Sequence, residues 1–445
     1  MTSSTPTITP RGATGVGLAS LVAAASGYLV LLIAARTLDP ARNAEFLVFW
    51  ALLFGLFGVL GGLQNEVTRA VRVARHAPAA PAGDPATGIS GAPDAGPPIA
   101  SAPPADTGVR VLPAALTIGG ALALVVAATS PLWAGRLLGT EPWTLAVVLC
   151  VAVVAFAGHS GLAGALGGAG RWTTYARLVG AEAGLRLLLV GGVALAGAAV
   201  GLDALGVVGL ETASAAAAAA WLLVLIASRQ ARANLGARAD ARRSVFARRA
   251  GQAMVGAASS AALVVGFPVL LRVTTSDAVY AAAAPLLLAV SMTRAPLLIP
   301  LTAYTGVAIT HFLAHREQGV RPLVRLAGAV VGVGVLGAGA AGLVGPWLMV
   351  VLFGPAYDVA PWVLAALTLA AAVLALLTLT GAAVLSLGQH QAYAWGWVVA
   401  TVVSFAVLLM PASIELRTAL SLAVGPLVGV AVHAAVIDRA RRAGR

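Results

Sequence analysis

Long apolar runs separated by short polar gaps repeat along the entire chain. A helix needs about 20 residues to cross roughly 30 Å of hydrocarbon. Twelve runs meet that length: 14–35, 44–67, 110–130, 143–168, 175–200, 205–228, 250–272, 278–309, 322–345, 361–386, 393–412 and 417–437. The eighth is long for a single crossing, and Pro285, Pro296 and Pro300 inside it predict kinks or a break. Residues 346–360 read as an interfacial turn. The pattern predicts an all-α polytopic membrane protein with about 12 transmembrane helices.

The gaps fix its orientation. All 28 Lys and Arg positions are arginine. Arg11, Arg69, Arg72, Arg75, Arg110, Arg171, Arg177, the seven arginines between 229 and 249, Arg316, Arg321, Arg325 and the four of the tail fall in alternate gaps. The other gaps hold only Arg36, Arg42, Arg136, Arg272 and Arg417. Positive charge concentrates on the cytoplasmic side, so both termini are expected in the cytoplasm and the protein in the cell membrane. Arg11 leads directly into a helix that continues past residue 30, so a cleaved signal peptide is not expected.

Composition removes the alternatives. Hydrophobic residues make up 60% of the chain, charged ones 10%, and mean hydropathy is +0.93, whereas soluble domains carry about 25% charged residues. A formal charge of +12 would suit nucleic acid, but the arginines sit at helix ends rather than in one stripe, which points to anionic membrane lipids as the partner. Cys150, the single cysteine, lies within an apolar run and forms neither a disulfide nor a CxxC site.

Two gaps organise the chain. Residues 77–108 are rich in Pro, Ala, Gly and Asp and read as a disordered cytoplasmic loop. Residues 229–249 carry seven arginines against Asp240 and predict an amphipathic helix lying on anionic lipid. The expected organisation is an N-terminal six-helix bundle over 1–228, a basic cytoplasmic linker over 229–249 and a C-terminal six-helix bundle over 250–445. Six crossings per half give both halves the same orientation, hence parallel-related repeats. The first helical hairpin and the one beginning near residue 261 echo each other, each with an arginine at the end of its first helix and a following Thr and Asp.

No zinc spacing, P-loop, GxSxG elbow or dinucleotide fingerprint is present, so the chain reads as a non-enzyme without a cofactor. Intramembrane polar residues remain as candidate substrate contacts. Glu182 and Arg186 are spaced to pair on one helical face. Arg294 has no acidic neighbour in its own helix and is the leading anion contact. Glu66 and Arg69 lie with Gln64 and Asn65 at the inner mouth. His159 reads first as a satisfied interior histidine, with a proton relay as the alternative, and Glu211 is a weaker candidate.

GYLVLLIAARTLDPARNAEFLVFWALLF, GLQNEVTRAVR and GGAGRWTTYARLVGAEAGLRLLL together resemble the lipid-linked oligosaccharide flippase and polysaccharide-export branch of the multidrug/oligosaccharidyl-lipid/polysaccharide exporter superfamily. Arg36 matches that pattern at the outer end of the first helix, and Arg171 and Tyr175 match it before the fifth. The resemblance implies two bundles around a central cavity that opens alternately to each side, with cationic residues receiving a pyrophosphate. It makes a lipid-linked saccharide the expected substrate and envelope glycosyltransferases candidate partners. Drug exporters of the superfamily commonly place a carboxylate in an N-lobe helix, and the first helix here has neither Asp nor Glu. Cation-coupled drug or metabolite export is the alternative within transport, and a non-transporting scaffold for envelope biosynthesis is the alternative outside it.

Overall fold

Each apolar run closes its own backbone hydrogen bonds, which is the condition for crossing hydrocarbon. In the computed structural model, which describes residues 10–76, 108–200, 206–314 and 321–443, twelve long helices result, with the short helices Arg229–Ala233 and Asp277–Ala281 between them. They are α1 (Pro10–Thr37), α2 (Pro40–His76), α3 (Val111–Leu137), α4 (Pro142–Gly168), α5 (Trp172–Val200) and α6 (Gly206–Ala227). After a linker come α7 (Arg243–Val264, continuing as Phe267–Val273), α8 (Ala284–Ala314), α9 (Arg321–Phe353), α10 (Pro361–Ser386), α11 (His390–Leu408) and α12 (Ile414–Ala443). Among the described residues, ten helices are long and apolar enough to span a membrane unaided, and α7 makes an eleventh when its two halves count as one span. Most of the loop expected over 77–108 lies outside the described residues.

The helices form two bundles with the same internal pairing. α2 packs on α4, α3 on α4, α1 on α5 and α5 on α6. α8 on α10, α9 on α10, α7 on α11 and α11 on α12 repeat that scheme. The turns repeat too. Positive φ occurs at Gly139 (61°) between α3 and α4 and at Gly354 (109°) between α9 and α10; it recurs at Gly170 (69°) between α4 and α5 and at Gly388 (74°) between α10 and α11. At the second pair the closing bonds also match, with Arg171 N–H donating to the Leu166 carbonyl (2.8 Å) and Gln389 N–H to that of Val384 (3.3 Å). This is the wrap that a left-handed residue allows at a helix end. The all-α, two-bundle architecture expected from the sequence is present.

Three local expectations differ. Residues 346–360 were expected as a turn, yet α9 continues through Pro346 to Phe353 and only a 3-10 turn, Pro355–Tyr357, follows. A proline removes one N–H bond and crowds the carbonyl four residues before it, and that residue here is Gly342. The seventh span starts at Arg243 rather than 250 and bends by 67° between Val264 and Phe267. Pro268 has no N–H for the Val264 carbonyl, and a Cβ on Gly266 would stand 2.6 Å from the Ala262 carbonyl oxygen, so the bend needs both residues.

The linker is the third difference. Within 229–242 only Arg229–Ala233 is helical; the chain then extends, pairs Arg110 with Arg238 in an isolated antiparallel bridge and enters α7 at Arg243. Val109 and Val111 donate to the Ala241 and Ala237 carbonyls, and Ala239 donates to that of Val109. Asp240 accepts from Arg69 (both nitrogens 3.0 Å) and Arg249 (3.2 Å). Those bonds hold the linker against the end of α2, where an amphipathic helix lying flat on lipid would have to give them up.

Burial shows where the bundles join. On the face bearing the α1–α2 turn, one apolar core runs unbroken through both bundles, from Val30, Phe46 and Phe49 to Leu271, Leu287, Leu367 and Leu422. Towards the face bearing the termini it divides into separate groups, around Leu63 and Phe246, around Leu162 and Leu178, and around Val384 and Ile437. The bundles are thus fused across the α1–α2 turn face, while towards the termini face the core splits and the α2–α7 seam, with Leu63 and Phe246 in one group, still joins them. α2 and α7 run against each other along the seam, where a Cβ on Gly58 would stand 3.0 Å from that of Ala261; α1 and α8 touch only sparsely.

Candidate functional site

A cavity of about 310 Å³ lies where the bundles begin to diverge. α1 contributes Gly27 and Tyr28, α2 contributes Trp50 and Phe54, α5 contributes Arg186, α7 contributes Pro268, and α8 contributes Ser291 and Arg294. The Tyr28 hydroxyl donates to the Ser291 carbonyl at 3.4 Å across the gap. The structure therefore brings two of the anticipated residues, Arg186 and Arg294, into one cavity from opposite lobes.

Their environments differ. Arg186 is 3% exposed and donates to Glu182, one turn earlier on α5. Its guanidinium carbon sits 4.6 Å from the Phe54 ring centroid and 5.9 Å from that of Trp50, so its face rests on an aromatic wall. The charge is balanced by Glu182, and Nε has no partner. Arg294 is 8% exposed and faces no carboxylate among the described residues. Its Nη1 donates to the carbonyls of Leu263 (3.2 Å) and Val264 (3.1 Å), which the bend in α7 leaves without helical donors. Its Nη2 has no partner. One guanidinium thus staples the bend while still presenting a free nitrogen and an uncompensated charge.

The other anticipated residues lie elsewhere. Arg69 is held by Glu66 (2.6 and 2.8 Å) and Asp240 at the termini-face end of α2, joining that helix to the linker. Arg36 crosses the lobes at the opposite face, where Nε donates to the Leu352 carbonyl (2.6 Å) and Nη2 to that of Val351 (2.5 Å) at the end of α9. Beside it, Asn43 donates to the Tyr357 hydroxyl at 2.9 Å, a second link between lobes. His159 is buried and stacks on Phe156 (4.9 Å), which stacks on Phe57 (3.8 Å). It ends an aromatic ladder that runs through Phe54 and Trp50, the pair beneath Arg186. Of the residues matched to the family pattern, Tyr175 accepts from Gln64 at 3.2 Å.

Sequence reasoning passed over Tyr28, Trp50 and Phe54. A signal existed: Trp50, Phe54 and Phe57 recur at helical spacing on one face of α2 in a chain with only 6% aromatic residues. Attention to the charged end of that helix hid it.

No family model matches the chain. Uncharacterized protein Rv1510 of Mycobacterium tuberculosis (strain ATCC 25618 / H37Rv) is 41% identical over 424 residues, covering 95% of this chain and 91% of that protein. Uncharacterized protein Rv3630 of the same strain is 38% identical over 428 residues, with coverage of 95% and 91%. Among solved structures, the inward-facing conformation of a multidrug resistance MATE family transporter of the MOP superfamily gives a TM-score of 0.65 at 13% identity, covering 97% of this chain and 99% of that one. The outward-facing conformation gives 0.61 at 14%, covering 97% and 96%. A MOP superfamily transporter from Pyrococcus furiosus, described as having a binding pocket of reverse polarity, gives 0.62 at 15%, covering 96% and 95%. The fold is therefore that of MATE transporters, and the chain itself belongs to the family of Rv1510 and Rv3630.

Proposed function

We propose that the protein is an alternating-access transporter whose cargo carries an anionic group, received between Arg186 and Arg294. The observation that carries this reading is the charge of the cavity. Glu182 balances Arg186, no carboxylate among the described residues balances Arg294, and the site is left with about one net positive charge beside low-dielectric walls. An anion is attracted to such a site and a cation repelled. Rocking of the two bundles would change access without a soluble motor. With the termini face in the cytoplasm, the divergence of the bundles corresponds to an inward-open state.

Within that reading, a lipid-linked saccharide with a pyrophosphate headgroup is the proposed cargo. Two observations support an amphiphile: the cavity is mostly apolar around its arginines, and sparse contact between α1 and α8 leaves a route from the bilayer. The decisive assay reconstitutes the protein in liposomes and follows leaflet accessibility of a fluorescent polyprenyl-pyrophosphate saccharide. Transfer that depends on protein and weakens in Arg294→Gln is expected; transfer no faster than in empty liposomes overturns the lipid-linked reading.

Cation-coupled drug or metabolite export is the second reading. It is favoured by the fold neighbours, which are described as multidrug transporters, and they speak for it more directly than for a lipid cargo. It predicts uptake of a cationic dye into inverted vesicles under an imposed proton or sodium gradient, and no transfer of the anionic lipid.

A further inference from the structure

The C-terminal lobe buries a histidine that the cavity does not use. His433 on α12 is fully buried, and both of its ring nitrogens have oxygen neighbours. Nε2 lies 3.3 Å from the Tyr393 carbonyl of α11. Nδ1 lies 3.1 Å from Thr380 Oγ1 of α10. Carbonyls only accept, so Nε2 must carry a proton to satisfy Tyr393. The partner of Nδ1 is different. A threonine hydroxyl accepts and donates, and this one also reaches the carbonyls of Leu376 (2.9 Å) and Leu377 (3.1 Å) on its own helix.

We propose that His433 is a proton-binding site, with the hydroxyl of Thr380 as the rotor that satisfies both of its protonation states. In the neutral ring, Thr380 donates to the Nδ1 lone pair. When Nδ1 takes a proton from water, the new N–H donates to Thr380 Oγ1, and the hydroxyl proton turns to the Leu376 carbonyl. No buried donor or acceptor is orphaned in either state, which is the usual obstacle to charging an interior group. Space for the ring is cut by glycines from all three helices. A Cβ at Gly381 would stand 3.5 Å from His433 Cε1, one at Gly396 would collide with the imidazole, and Gly429 brings α12 close to α11.

The site is connected to the lobe interface. Tyr393, whose carbonyl holds Nε2 and whose ring stacks on the imidazole at 6.2 Å, lies on α11, which packs on α7. α7 is the broken helix that packs along α2 and is stapled by Arg294. Tyr393 is the one titratable side chain facing the ring among the described residues, and α10 presents Thr380. Asp438 and Arg439 lie further along α12, where Asp438 pairs with Arg442. A bound proton would therefore be a local charge one helix removed from α7, through which this lobe meets the other. The inference holds for either cargo.

The test uses the full chain in lipid nanodiscs with ¹⁵N-labelled histidine, following the ring nitrogen shifts between pH 4 and 9. Wild type should show one resonance pair in which Nε2 stays protonated while Nδ1 changes from acceptor to N–H, and His433→Gln should lack that pair. Thr380→Val keeps the histidine and removes only the rotor. Both protonation states then lose the bond at Nδ1, and the charged ring loses the stronger one. The difference should weaken proton binding by roughly two- to tenfold, moving the midpoint to lower pH, with wild-type behaviour restored in Thr380→Ser. A His433 ring that stays neutral throughout, or the same midpoint in wild type and Thr380→Val, overturns the proposal. These readouts need no transported substrate, so failure here is distinct from failure of the transport reading.

Discussion

Arg36 is the clearest lever on the resting conformation, because it spends two donors on a helix end in the other lobe. Its bonds to the Leu352 and Val351 carbonyls, at 2.6 and 2.5 Å, satisfy acceptors that the end of α9 leaves free. The side chain is exposed, so solvent screens it, and each bond is worth about 0.5–1 kcal/mol rather than the larger value of a buried charged donor. Both exist only while the lobes meet at the α1–α2 turn face. Arg36→Gln should therefore remove about 1–2 kcal/mol from the closed arrangement of that face, a shift of roughly 5- to 30-fold in the ratio of closed to open molecules. Nitroxides at Ala41→Cys and Ala356→Cys, on a Cys150→Ala background, would flank the contact from the two lobes. Pulsed electron resonance distances should be dominated by a short population in wild type and gain a longer one in Arg36→Gln. Identical distributions would refute the reasoning, because the bonds would then hold side chains and not lobes. The Asn43 to Tyr357 bond survives the substitution and limits the change, so removing it as well should lengthen the distances further.

The remaining predictions concern charge, the bend, the seam and orientation. Glu182→Gln should strand a buried guanidinium and destabilise the protein by about 3–5 kcal/mol, and the double change Glu182→Gln with Arg186→Gln should melt closer to wild type than either single change. The shorter side chain of Arg294→Gln does not reach the two freed carbonyls as the guanidinium does and should cost about 1–3 kcal/mol in thermal unfolding; Pro268→Ala, which returns an N–H to the Val264 carbonyl, should shrink that cost. Gly62→Val should push α2 off the α7 backbone at Ala253 and Met254, giving a protein that inserts but melts early. A maleimide should label Ser90→Cys, again without Cys150, only after permeabilisation; labelling of intact cells would invert the orientation.

What the sequence makes legible follows from what the membrane enforces. Run length sets the helices because unpaired backbone is so costly in hydrocarbon, and the Glu182–Arg186 pair is readable because four residues make one turn. Arg294 shows the limit. Its partners lie thirty residues away on α7, and nothing in SMTRAPLLIP indicates that a neighbouring helix will break and expose two carbonyls to it. The same holds for Arg36 and Arg69, which read as headgroup or substrate contacts but are engaged by groups more than a hundred residues distant. Prolines misled in one direction: Pro346 does not end α9, because loss of one bond is small against a helix whose flanks remain in the apolar layer.

The unequal seams imply a particular kind of motion. Because α2 and α7 pack closely while α1 and α8 barely meet among the described residues, the lobes are held more tightly along one edge, like the covers of a book along its spine. Opening about a spine widens the far edge most and the near edge hardly at all. Small residues at the spine then serve as the bearing surface, and the width of the entrance is set at the fore-edge between α1 and α8, facing the hydrocarbon. A cargo that arrives from within the bilayer meets the widest part of the opening, whereas one arriving from water must descend into its wedge.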